Sequence, residues 1–160
     1  MFVIFLPNYQ WLQPDCLCVS DKSKPQIVVY ALAQARAALE AADALDTPIT
    51  LVSPAGAAAY GGPAWFRELM AQAHDAVPRA AFDSVLDCAT EAGLAMAAIR
   101  EGVGAISFDG PDDVRIKIQD IAAQSGCAIV AIDYETALDL DQCGKALSAC
   151  RDWLAEKLSE

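Results

Sequence analysis

The stretch SVLDCATEAGLAMAAIREGVGAISFDG, residues 84–110, decides the fold. Residues 84–87 form a short apolar run that ends in a carboxylate, and residues 105–108 repeat the pattern before Asp109 and Gly110. Between the two runs, Thr90 is a good N-cap residue, the alanines and leucine favour helix, and Gly102 suits the position just past a helix end. A strand, a helix and a second strand packed so closely in sequence read as a βα unit with parallel strands.

The same unit recurs on both sides. Apolar runs at residues 26–30, 49–52 and 128–132 supply three more strands. A helix over residues 32–45 stops before Thr47-Pro48, and the next opens at Gly62-Pro63, with proline where a helix needs no N–H. Phe66, Leu69, Met70 and Ala73 give that helix an apolar stripe. Another opens at Gly110-Pro111 with Asp112 and Asp113 in its first turn, turns Val114, Ile118 and Ile121 inward, and ends at Gly126. Cys143, Leu147, Cys150, Leu154 and Leu158 mark a last amphipathic helix. The reading is an α/β domain over residues 26–160, with about five mostly parallel strands alternating with helices. An aromatic, proline-containing arm at residues 1–25 precedes it, its first six residues adding an edge strand. An open doubly wound sheet with helices on both faces is the favoured architecture, and an incomplete (β/α) barrel is the alternative; five units are too few for the eight-fold barrel.

Composition sets limits on function. A chain of 160 residues that is 55% hydrophobic and 21% charged, with mean hydropathy +0.28, has enough apolar material for its own core. The surplus predicts a surface covered by a second copy, a homo-oligomer. The net charge of −11 and the scatter of the 11 basic residues exclude nucleic acid as a partner. The opening apolar run is far shorter than the roughly 20 residues that span a bilayer, and it lacks a basic flank, so no membrane association and a cytoplasmic location are expected. Of the six cysteines, several fall on apolar faces, which predicts reduced thiols; Cys16-x-Cys18 is a single pair, too few ligands for structural zinc.

Ligands of open parallel sheets bind beyond the carboxyl ends of the strands. Those ends carry Ser53, Asp87, Asp109 and Asp133. Three acids on one edge suit a hard divalent cation, or else Asp87 and Asp109 simply cap the helices that follow. The loop SPAGAAAYGG, residues 53–62, lets a ligand approach backbone closely ahead of a helix N-terminus, with Ser53, Gly56, Tyr60, Gly61 and Gly62 as its contacts; a flexible connection is the other reading. It has neither dinucleotide nor P-loop spacing. Cys88 precedes a helix, where the dipole lowers a thiol pKa. The single histidine, His74, falls at the far end of the second long helix, roughly 15 Å from that edge at 1.5 Å per residue. Asp87, Asp109 and Cys88 are therefore the catalytic candidates, without histidine.

Residues 86–110 resemble one βα module of aldolase-like (β/α) barrels, and residues 48–133 resemble a family of uncharacterised bacterial α/β proteins with no activity attached. The barrel resemblance implies a Schiff-base lysine on a strand. Here Lys22 and Lys24 lie in the arm, Lys117 and Lys145 on helices, and Lys157 at the tail. Two functions stay open: binding of a small anionic metabolite, phosphorylated or carboxylated, at the carboxyl edge, and a non-catalytic domain that self-associates or serves a partner. No particular cofactor or metal follows from these residues.

Overall fold

The computed structural model describes residues 24–141 and 143–159; residues 1–23 of the arm, with its edge strand and the Cys16-x-Cys18 pair, lie outside the described residues. The chain runs β1 (Gln26–Val28), α1 (Leu32–Ala44), β2 (Ile49–Val52), α2 (Ala57–Tyr60), α3 (Pro63–Ala76), β3 (Phe82–Asp87), α4 (Ala92–Arg100), β4 (Ala105–Ser107), α5 (Asp112–Gln124), β5 (Ala128–Ile129), β6 (Leu138–Asp139) and α6 (Ala146–Lys157). The strands form one open sheet in the order β5-β4-β3-β2-β1-β6, and every pairing is parallel. This is the open α/β architecture read from the sequence, with six strands where five were expected, and it does not close into a barrel; the helices, expected on both faces, lie on one.

From β1 to β5 each crossover steps to the neighbouring strand on the same side. Right-handed crossovers that keep stepping one way place their helices on one face. Burial agrees: Ala35, Ala38 and Leu39 of α1, Phe66 and Leu69 of α3, Ala95 and Ile99 of α4, Ile118 of α5 and Leu154 of α6 share one cluster with Ile27, Leu51, Leu86 and Ile106 from the sheet. The alternate strand residues Val28, Val52 and Val85 point the other way and pack with Val130, Ile132 and Ala137 from the chain after β5. That chain has to cross this second face, because β5 and β6 are opposite edges of the sheet.

Local differences from the sequence reading have physical causes. β6 has two residues and no apolar run of its own; it is a strand because Ile27 and Val28 present an unpaired edge to Leu138 and Asp139. The loop at residues 53–62 contains the single helical turn α2. Helix α4 takes Glu91, not Thr90, at its N-cap, since the preceding turn places Ala89 in the left-handed region at φ 47°. In α5 the buried phase runs through Ile118 and Ala122, which leaves Ile121 38% exposed, and Leu158 lies past the last turn of α6 in solvent. No helix among the described residues is long and apolar enough to cross a membrane.

Candidate functional site

Asp87 ends β3 with its carboxylate on the second face of the sheet, and it is 4% exposed. A carboxylate removed from water needs donors, and three segments supply them. The backbone N–H groups of Gly56 and Ala89 donate to its Oδ1 at 3.0 and 2.7 Å, and the Tyr134 hydroxyl lies 2.8 Å from Oδ2. The same hydroxyl is 3.1 Å from the Ser53 carbonyl oxygen. Ser53 is fully buried; its Oγ accepts the Asp87 N–H at 2.8 Å and donates to the Pro54 carbonyl at 3.1 Å. The Asp109 N–H donates to the Ala89 carbonyl at 2.8 Å, so hydrogen bonds on both of its peptide groups hold Ala89 in its left-handed conformation.

The loop after β2 is thereby organised from within. Gly56 adopts φ 67°, a conformation that glycine reaches without strain, and turns its N–H onto Asp87. The anion that this glycine-rich loop holds is the protein's own carboxylate. Farther along, Tyr60 is 90% exposed, and a Cβ at Gly61 would come within 2.5 Å of the Trp65 ring. Gly62, at φ 79°, forms the N-cap of α3.

Other candidates are placed differently from the sequence reading. Asp109 is exposed at the end of β4 and touches the network through its backbone. Asp133 does not end a strand: β5 stops at Ile129, and Asp133 sits on the segment crossing the second face, where its N–H donates to Gln26 Oε1 and its Oδ1 closes a turn onto the Glu135 and Thr136 N–H groups. Among the described residues no group of three His, Cys, Asp or Glu is gathered for a metal ion, so the three-acid site is not assembled. Cys88 points to the helix side of the sheet and is fully buried. Burial, reinforced by the adjacent Asp87 charge, pushes its thiol up to about 12, opposite to the activation expected at a helix start. The four described cysteines are free thiols.

Two aromatic residues that sequence reasoning left out border the more accessible part of this edge. Tyr30 and Trp65 line an open groove of about 280 Å³ together with Ala31, Leu32, Glu68, Leu69 and Gln72. It lies beyond the carboxyl end of β1, between the N-terminal turn of α1 and the face of α3 that carries Trp65, Glu68, Leu69 and Gln72, and neither helix has a side-chain cap. The Tyr30 hydroxyl donates to Asp139 Oδ2 at 3.1 Å, tying the groove to β6; burial and the Asp139 charge push that hydroxyl up to about 12. A second cavity, about 310 Å³, lies at the opposite edge of the sheet and is lined by Lys24, Pro48, His74, Phe82 and Asp83. Its lysine is engaged with Asp83 at 2.6 Å. Comparison with protein-family models and with curated proteins finds no match to this chain.

Two outcomes follow. Asp87→Ala leaves two half-buried N–H groups and the Tyr134 hydroxyl without their carboxylate acceptor, and chemical denaturation is expected to register a loss of about 2 to 3 kcal/mol. An unchanged midpoint contradicts the role given to the carboxylate. Burial holds the Cys88 and Cys150 thiols up to about 12 and the Cys127 thiol up to about 11, against 9.0 for an open thiol. The unfolded chain therefore releases thiol protons first, and stability is present in full below pH 9 and falls as pH rises from 9 toward 12. A thermal midpoint measured against pH should show that alkaline fall, and Cys150→Ala should make it shallower.

Proposed function

We propose that this chain is a binding domain that takes a small anionic molecule in the groove beyond β1. The observation that carries this reading is the groove itself, a concave surface of metabolite size onto which the N-terminus of α1 opens without a side-chain cap, with Trp65 from the first turn of α3 on the facing wall. Unsatisfied N–H groups and the positive end of the helix dipole favour an anion there in spite of the acidic chain. The groove also lies beyond the carboxyl end of β1, and it is outside the carboxyl ends of the strands that open parallel sheets bind their ligands. Tyr30 and Trp65 offer ring faces to an apolar part of the ligand. The Glu68 carboxylate, which accepts from Gln72 Nε2 at 2.8 Å, suits a hydroxyl or amine donor at the ligand's other end.

Binding is favoured over catalysis at this edge because its buried groups are committed. Asp87 is held by three donors, Ser53 by two hydrogen bonds, and the Cys88 thiol is kept protonated. Titration with inorganic phosphate, followed by amide chemical shifts, tests the reading. Saturable shifts are expected at Leu32, Ala33 and Trp65. Ala31 has the extended backbone of an N-cap, φ −150° and ψ 158°, so Ala31→Asp places a carboxylate on the same N–H groups. It should stabilise the fold by about 1 kcal/mol and weaken phosphate at least tenfold. Phosphate shifts that fall elsewhere, or that survive Ala31→Asp unchanged, overturn the proposal.

A specific surface favours self-association as a second reading. Ile116 and Ile121 on α5 are 60% and 38% exposed, on the helix that follows the sheet toward its β5 edge. Light scattering is expected to give more than the monomer mass of 16.9 kDa, and Ile116→Lys should shift it toward the monomer. A monomer at every concentration removes this reading and leaves the groove untouched.

A further inference from the structure

We propose that residues 130–137 are a latched strap that opens as a unit while the helix layer stays folded, with the Tyr134 hydroxyl on the Asp87 carboxylate as its latch. The segment joins β5 to β6 across five interstrand spacings, about 24 Å at ~4.8 Å each. Apart from Val130 at its start, whose N–H donates to the Ile106 carbonyl at 2.9 Å, it adds no backbone pairing to the sheet. Past that residue, among the described residues, its hydrogen bonds to the sheet and its loops pass through side chains. One is the Asp133 N–H to Gln26 Oε1 at 3.0 Å, and the other is the Tyr134 hydroxyl with Asp87 and Ser53.

The rest of its order is local. Asp133 closes its own turn, accepting from Glu135 and Thr136 through Oδ1 and from the Ala137 N–H through its carbonyl. Ala131, Asp133, Tyr134, Glu135 and Thr136 are exposed, and Ile132 and Ala137 are half-buried over Val28, Val52 and Val85. Few buried contacts and side-chain anchoring are what separates a low-stability opening unit from a core. The helices do not depend on the strap, since their apolar faces are buried in the cluster on the other side of the sheet. Opening therefore uncovers the valine row and releases the Asp87 oxygen Oδ2, while Oδ1 keeps Gly56 and Ala89 in place.

Native-state hydrogen exchange followed by mass spectrometry tests this directly. In Tyr134→Phe, exchange in peptides covering residues 131–137 should be at least tenfold faster than in the natural chain, with peptides from α1, α3 and β2 unchanged. Gln26→Ala should accelerate the same peptides through the other anchor. Acceleration spread evenly over the chain means that the segment opens only with global unfolding, and unchanged exchange means that the hydroxyl is no latch; either result overturns the proposal. If Tyr134→Phe does not fold, the natural chain in low urea decides. Residues 131–137 should then exchange with a weaker urea dependence than α1, and an equal dependence overturns the strap.

Discussion

A carboxylate buried at the end of a strand needs donors in place of its water, and at Asp87 those donors come from three separate parts of the chain. Gly56 belongs to the loop after β2, Ala89 to the turn after β3, and Tyr134 to the segment after β5. One side chain thus sets the backbone of the glycine-rich loop, fixes a left-handed alanine ahead of α4, and pins the chain that covers the second face. The same commitment ties Asp87 to its neighbours. Its oxygens already face donors, and the serine and tyrosine beside it are bound within the same network.

The direction of winding explains where the remaining features lie. Because the crossovers from β1 to β5 all step the same way, the helices form one layer, and close approach in that layer rests on small residues; α1 buries Ala35, Ala38, Ala41 and Ala42. The second face has Val28, Val52 and Val85 to cover, and the connection back to β6 does it. Connection and cover are therefore one segment. Its anchors are side chains because the strands beneath it already satisfy their backbone groups with one another.

The groove beyond β1 depends on both constraints. Its α3 wall is positioned by the close approach of Gly61 to the Trp65 ring, and Gly61 belongs to the loop whose start is held by Asp87. Its other wall follows β1, the strand that β2 and β6 flank. The cavity at the amino edge is slightly larger, yet it lies away from every strand end that carries Ser53 or Asp87, with its lysine paired to Asp83.

Much of the scaffold is legible in local sequence. Strand β2 and helix α3 stand where the apolar run at residues 49–52 and the Gly62-Pro63 opening predict them, because short-range propensity and punctuation act within one element. Ser53 and Asp87 share one edge for the same reason: parallel strands place their ends together. Other features have no local signature. Two-residue β6 exists only through its neighbour, Cys88 is shielded because strand alternation turns it toward the helices, and Asp133 leaves the edge because β5 ends early. Tyr134 meets Asp87 from 47 residues away, a distance that no periodicity encodes. The sequence by itself determined the alternation of strands and helices and the acids at the strand ends. Only the tertiary structure decided which acid is buried, which face each thiol occupies and where an open groove remains, since these follow from winding direction and from contacts between segments remote in the chain.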